Sequence, residues 1–318
     1  MKKIFITYPI APAGIERLKQ HGYKIEMNEQ HRLLSHNDFI AQFQNADAVI
    51  TVISDKVDRT ILDLAATAHT PTKIFANFGV GFNNIDVAYA KQLGIFVTNT
   101  PEVLTDATAD TAFLLLLAVA RRFNECQKVM QPQTFTGWNT VQNLGVNLSG
   151  KTLGIVGFGR IGEAMAKRAK AFDMNVIFST RTEKTSEFAT QVDFETLLRE
   201  SDAVSIHTAL TDETKHLFTK REFDKMKPQS ILINTARGAV INEADLVSAI
   251  KAGKFFGVGL DVYEFEPLVS DDLYKLDNVI LLPHIGAATI ETRNKMSMLC
   301  AENIIAALDG KTPPNLVW

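Results

Sequence analysis

The chain has 318 residues, 46% of them apolar and 22% charged, with a formal net charge of -3. That much apolar surface offsets the entropy of ordering, which excludes a disordered or fibrous chain, and the length favours two domains over one. A mildly acidic balance without a long basic run gives no electrostatic footing for general nucleic-acid binding.

Two cysteines, Cys126 and Cys300, form neither a disulfide framework nor a metal knuckle and point to a reducing, cytoplasmic compartment. The longest apolar stretch, residues 112–120, falls short of the roughly 20 residues that cross a bilayer, so no membrane partner is expected. The N-terminus has basic residues, an apolar run and an A-P-A triplet, as a secretory signal does. However, Thr7 and Tyr8 interrupt the run and Pro9 ends it, so it reads as a first strand.

Up to residue 100, short runs rich in Ile, Val and Phe (3–7, 24–27, 48–53, 73–77 and 95–98) alternate with helical stretches such as 58–68. This is the pattern of a parallel sheet with crossover helices. One long helix is predicted from about Thr105 to Lys128. Its Leu114-Leu115-Leu116-Leu117 section is apolar all round and needs cover on every face, between domains or between subunits. Residues 131–150, with Pro132, Gly137, Gly145 and Gly150, break both periods and read as a linker carrying Trp138. Alternation restarts with six predicted strands at 152–156, 175–179, 203–207, 230–234, 256–260 and 279–282. A final helix at about 291–308 is placed back on the first domain. The expected architecture is α/β: two doubly wound parallel-sheet domains, with a dinucleotide-binding (Rossmann) domain (101–290) inserted into a flavodoxin-like substrate domain (1–100 with 291–318).

The strand 152–156 runs into Gly157-Phe-Gly159-Arg160-Ile161-Gly162 and then into a helix. Placed between strand and helix, each glycine has a mechanical reason: a tight turn, close approach of a pyrophosphate, and close helix packing. The helix N-terminus adds N–H groups and partial positive charge for the phosphates. A cofactor lacking the 2'-phosphate usually meets a carboxylate at the end of the next strand. Here that strand ends in Ser179-Thr180-Arg181-Thr182, with Lys184 close behind. Hydroxyls and a guanidinium bind a 2'-phosphate that a carboxylate would repel, so NADP(H) is expected over NAD(H).

Ligands of an open parallel sheet sit beyond the carboxyl ends of its strands. There the chain places Thr235-Ala236-Arg237-Gly238, Asp261 with Glu266, and Pro283-His284-Ile285-Gly286. These groups suit hydride exchange between a nicotinamide and C2 of a 2-oxo or 2-hydroxy acid. Arg237 holds and polarises the substrate, His284 supplies the proton, and Glu266 fixes the imidazole tautomer. Of the seven histidines only His207 and His284 follow strands in this way, and the other five read as surface residues. In the first domain, Phe78-Gly79-Val80-Gly81-Phe82-Asn83-Asn84-Ile85-Asp86 reads as an anion nest, as a turn in which Asn caps the next helix, or as both at once.

At these residues the chain resembles the D-isomer-specific 2-hydroxyacid dehydrogenase family. The likeness runs through GVGFNNID (79–86), VLTDATADTAF (103–113), GIVGFGRIG (154–162), ILINTARG (231–238), GLDVYEFEP (259–267) and LLPHIGAAT (281–289). The resemblance implies Arg237, Glu266 and His284 as the catalytic set, with Val80 and Gly81 on the substrate carboxylate. It also implies that Thr105, His207, Thr235, Ala236, Asp261 and Gly286 line the cofactor site, together with the glycine loop and residues 179–181. A homodimer joined through the cofactor domains, with the helix near Leu114 to Leu117 involved, is implied as well.

Within the family, the Ser179-to-Thr182 turn is most similar to that of the glyoxylate and hydroxypyruvate reductases, in which a tryptophan can reach a neighbouring subunit's pocket, with Trp138 the candidate here. One departure is the absence of a proline after His207. A phosphoglycerate dehydrogenase with an appended regulatory domain is not expected. The alternatives are a D-lactate-type or aromatic 2-hydroxyacid dehydrogenase, decided near Ile53 and Ser54, and a non-catalytic nucleotide-sensing scaffold of the corepressor type. Retention of Arg237, Glu266 and His284 favours the enzyme.

Overall fold

The computed structural model describes residues 1–130 and 135–318, and the chain divides into two compact units, Met1–Leu104 with Ala287–Trp318, and Thr105–Gly286. Each is built on an all-parallel sheet. Pro132 and the start of the predicted linker lie outside the described residues.

In the first unit, β1 (Lys3–Ile6), β2 (Lys24–Met27), β3 (Ala48–Val52), β4 (Ile74–Phe78) and β5 (Phe96–Thr98) pair in the order β2-β1-β3-β4-β5. The central strands read as continuous buried runs, because helices cover both faces of a parallel sheet. The helices are α1 (Pro12–Gln20), α2 (His36–Phe43), α3 (Arg59–Thr67) and α4 (Val87–Gln92). Ser35, Asp58 and Asp86 cap the last three, each side chain accepting from a backbone N–H of the first turn. The core packs Phe5, Phe39, Phe43, Ile61, Leu62 and Phe75. The last helix of the chain, Ile290–Leu308, returns to this unit and is fastened to α1 by Ser297 Oγ. That hydroxyl accepts from Gly14 N and donates to Ala11 O, both at 2.7 Å.

The second unit begins with α5 (Thr105–Ala120) and α6 (Phe123–Val129). Its strands are β6 (Thr152–Val156), β7 (Asn175–Ser179), β8 (Thr190–Gln191), β9 (Ala203–Ile206), β10 (Ser230–Asn234), β11 (Phe255–Leu260) and β12 (Val279–Leu281). They form a sheet in the order β12-β11-β10-β9-β6-β7-β8. The crossover helices are α7 (Arg160–Ala171), α8 (Phe194–Glu200), α9 (Lys220–Lys225) and α10 (Glu243–Lys251). This sheet has seven strands rather than the six predicted. The additional one, β8, is a two-residue edge strand, too short to carry a periodic signal.

The single helix predicted over 105–128 is two helices. Arg122 adopts a left-handed conformation (φ 52°), and Val146 N donates to the Ala120 carbonyl at 2.8 Å, satisfying an acceptor freed at the end of α5. Arg122 then opens α6 by a two-point pair with Glu125, at 2.6 and 2.7 Å. Leu115 and Leu116 are buried within the unit, whereas Leu114 is 56% exposed, so packing inside the unit covers only part of this apolar helix. Among the described residues no helix is long and apolar enough to cross a membrane.

Candidate active site

The glycine turn after β6 shows three different constraints. Gly157 has φ +88°, donates its N–H to Ser179 O at 2.9 Å, and would place a Cβ 2.7 Å from the backbone carbon of His207 and the nitrogen of Thr208. Only glycine fits there, in backbone conformation and in space. Gly162, already inside α7, would carry a Cβ 2.4 Å from the Gly157 carbonyl oxygen, so its role is to let the helix close on the turn. Gly159 is the N-cap of α7, and a Cβ there would meet nothing within 4 Å. The turn is therefore tight where it faces protein and open where α7 directs its N-terminal amides, which is the shape a pyrophosphate needs. Arg160 and Ile161 form the first turn of that helix. At the end of β10, Thr235 is 8% exposed and its hydroxyl has no partner. A bound nucleotide would satisfy such an orphaned group, so these residues fit a dinucleotide.

Beyond β7, Ser179 and Thr180 are half-buried and Arg181 is exposed, paired with Glu213. Lys184 reaches back to the glycine turn, its Nζ donating to Phe158 O at 2.8 Å. The Gln191 side chain clamps this segment from β8: its amide donates to Thr182 O at 3.1 Å and its oxygen accepts from Lys184 N at 2.7 Å. His207, at the end of β9, lies with Nε2 2.8 Å from Ser205 Oγ, and burial pushes its imidazole down to about 4. It is neutral at physiological pH.

Arg237, Glu266 and His284 come together in this unit. Arg237 follows β10, and its Nη1 donates to Ala236 O at 2.6 Å while Asn234 Nδ2 donates to the Arg237 carbonyl at 3.0 Å. Burial lowers the guanidinium from its ordinary value, and the charge of Glu266 opposes that shift. Gly238 allows this segment to lie directly on the loop that carries Glu266, since a Cβ there would fall 1.8 Å from the Tyr263 backbone carbon. His284 Nδ1 is 2.9 Å from Glu266 Oε2, and Tyr263 N donates to Glu266 Oε1 at 3.0 Å. Burial alone would raise the Glu266 carboxyl. The bonds from His284 and Tyr263, with the charge of Arg237, hold it below the usual value, so it is a carboxylate. An ionised Glu266 accepts, which places a proton on Nδ1.

His284 has φ 54°, a left-handed conformation uncommon outside glycine. Asp261, which follows β11, holds this turn by accepting from Ile285 N and Gly286 N, each at 2.7 Å. Burial raises the Asp261 carboxyl, and these two amides and the charge of His284 oppose that. Tyr263 was not singled out from the sequence. Its hydroxyl donates to Leu282 O at 2.8 Å, tying the Glu266 loop to the segment that leads to His284. An aromatic between an Asp and a Glu on one loop was the available signal.

The five histidines read as surface residues need one correction. His216 is partly buried, its Nε2 2.5 Å from Oε1 of Glu264, a carboxylate the fold has taken out of solvent.

In the first unit, Gly79 does not take a positive φ. The turn is held by carboxamides instead: Asn77 Nδ2 donates to Gly81 O and Asn99 Nδ2 donates to Val80 O, both at 2.8 Å. With their carbonyls fastened, the peptides of this turn have fixed orientations. Asparagine does not cap the next helix; Asp86 does, accepting from Tyr89 N at 3.0 Å. Neither Asn77 nor Asn99 was singled out from the sequence, although a carboxamide beside a glycine turn is a recognisable signal. Thr105 begins α5 in the second unit and is half-buried, and Trp138 is 87% exposed. Among the described residues no group of His, Cys, Asp and Glu could hold a metal ion.

Residues 113–286 match the family model described as D-isomer specific 2-hydroxyacid dehydrogenase, NAD binding domain. The chain is 47% identical to a glyoxylate reductase of Thermococcus litoralis over 323 residues, covering 99% of this chain and 96% of that one. Among solved structures it is similar to a protein of Thermus thermophilus (TM-score 0.93, 39% identity, 99% and 100% of the two chains). It is also similar to an NADPH-dependent glyoxylate/hydroxypyruvate reductase of Sinorhizobium meliloti (TM-score 0.85, 30% identity, 100% and 98%). The chain belongs to the D-isomer-specific 2-hydroxyacid dehydrogenase family.

Proposed function

We propose that the chain reduces a small 2-oxo acid, glyoxylate or hydroxypyruvate, to the 2-hydroxy acid with NADPH. The observation that carries the reading is the pairing of His284 Nδ1 with the Glu266 carboxylate beside a half-buried Arg237. When bound, a reduced nicotinamide supplies hydride to C2 of the substrate. Arg237 presents its planar fork of donors to the carboxylate and carbonyl oxygens, and a partly desolvated guanidinium interacts more strongly there than it would in water. The amides of Val80 and Gly81 take the substrate carboxylate. As charge develops on the C2 oxygen, the His284 imidazolium delivers the proton from Nε2, and Glu266 balances the imidazolium charge until that proton leaves.

The glycine turn, with Arg160 and Ile161, would hold the pyrophosphate, and Ser179, Thr180 and Arg181 the 2'-phosphate. Thr105, His207, Thr235, Ala236, Asp261 and Gly286 complete the cofactor site, Asp261 also fixing the turn at His284. Support for NADP(H) over NAD(H) comes from the absence of a carboxylate at residues 179–182 and from the NADPH dependence of the Sinorhizobium meliloti relative. Residues 1–100 with 291–318 are assigned to substrate binding and 101–290 to the cofactor. A cytoplasmic homodimer, with the exposed Leu114 of α5 and Phe172 in its interface, accounts for apolar side chains left uncovered in one chain. Initial rates with glyoxylate, hydroxypyruvate, pyruvate and phenylpyruvate, each with NADPH and NADH, test the reading. Highest kcat/KM for the first two with NADPH is expected, and preference for phenylpyruvate or for NADH overturns the corresponding part.

A further inference from the structure

The loop that carries Glu266 has little apolar anchorage near its tip. Phe265 and Leu268, which flank Glu266 and Pro267 and pair with each other, are 64% and 73% exposed. Polar groups hold its base instead. Glu243, the first residue of α10, is 8% exposed, and its two carboxylate oxygens accept from the two ends of the loop: Oε2 from Glu264 N and Oε1 from Ser270 N, both at 3.1 Å. Glu264 answers, its Oε2 accepting from Glu243 N at 2.9 Å, where it also meets the positive end of the α10 dipole. Its Oε1 lies 2.5 Å from Nε2 of His216, whose backbone N–H donates to Ala239 O at 2.8 Å. Two buried carboxylates close together are costly unless each is fully hydrogen-bonded, and here backbone amides and one imidazole supply the partners.

We infer that Glu243, Glu264 and His216 form a polar clasp that positions Glu266, and through it the tautomer and orientation of His284. They are positioning residues for the proposed reaction. The inference rests on the reading of Glu266 as the partner of His284, and it extends that reading to a layer that touches neither substrate nor cofactor. A shift of the loop by a fraction of an ångström changes the 2.9 Å contact between Glu266 and His284, and misplacements of about 1 Å at such a group cost up to about 100-fold in rate.

The test is a double-mutant cycle on the full chain with glyoxylate and NADPH. Glu243→Gln replaces one acceptor by a donor, so one end of the loop loses its hold. It is expected to lower kcat about tenfold with NADPH affinity, read by fluorescence, changed less than about twofold. In a Glu266→Gln background the same substitution is expected to cost nothing more, because the group it positions is already disabled. The Nδ1 proton resonance of His284 in labelled protein should shift in Glu243→Gln, as a purely structural change elsewhere would not make it do. His216→Gln, on the half-exposed side of the clasp, is the second variant should Glu243→Gln fail to fold, with about a threefold loss that also vanishes in the Glu266→Gln background. Additive losses, or an unmoved resonance, overturn the clasp alone. A fully active Glu266→Gln overturns both the clasp and the catalytic reading beneath it.

Discussion

The two glycine turns, one in each unit, are held in shape by different means. In the second unit the turn after β6 depends on the conformation of one residue, Gly157 at φ +88°, pressed against backbone, with α7 adding its dipole. In the first unit the turn after β4 has no helix at its end until Val87, and its carbonyls are held by Asn77 and Asn99. The turn after β6 is a property of the main chain, and the turn after β4 is imposed on it by side chains. Damage should therefore be all-or-none at Gly157 and graded at the asparagines.

The largest effect is expected at Gly157. Gly157→Ala brings a Cβ against the backbone at 207–208 in a left-handed conformation, where neither neighbour can give way. We expect loss of nucleotide binding in a calorimetric titration and about 2–4 kcal/mol of destabilisation by denaturant unfolding. A variant that binds normally would show that the turn is not the cradle described.

Acid separates the units next. Burial lowers the His207 imidazole from 6.5 to about 4, so between these values the unfolded chain takes up a proton that the folded one refuses. Stability of the second unit should then fall as pH drops from 6.5 towards 4, by at most about 3 kcal/mol. Burial raises the Asp55 carboxyl of the first unit, against the hydrogen bonds from Thr7 and Val52. Its sign is opposite: the folded form protonates first, and acidification relieves a cost present at neutral pH. Hydrogen exchange across this range should show the second unit opening before the first, with His207→Gln removing much of the difference. The reverse order contradicts the assignment.

Smaller effects are expected in the first unit. Asn77→Ala frees the Gly81 carbonyl and should raise KM for the 2-oxo acid about tenfold while nucleotide affinity is unchanged. Asn99→Ala, which frees only Val80, should raise it about threefold by the same steady-state assay.

The contrast between the turns also explains what could be read from the sequence. Gly157, Gly159 and Gly162 were legible because a main-chain requirement leaves a spaced glycine signature, and buried parallel strands leave uninterrupted apolar runs. Arg237, Glu266 and His284 were legible as polar residues at strand ends, and the structure brings them together. The clamps Asn99 and Gln191 and the clasp at Glu243 were not, because each holds backbone 7 or more residues away along the chain, and Asn77, close to the Gly81 carbonyl it holds, is a polar residue near a turn, which has many ordinary uses. The break at Arg122 escaped for a related reason: the acceptor freed at Ala120 is satisfied by Val146, 26 residues on, and nothing local announces it. His216 looked like any surface histidine because its partner Glu264 lies 48 residues away.

The central claim, that the imidazole held by Glu266 protonates the product of hydride transfer, is tested most directly by His284→Ala assayed with glyoxylate and NADPH beside the wild type, with NADPH binding measured on both. The account predicts turnover in the wild type, a loss of about 100-fold to 10,000-fold in kcat for the variant, and unchanged NADPH affinity. Equal activity in the two proteins, or inertness of both across the 2-oxo acid panel, would contradict it.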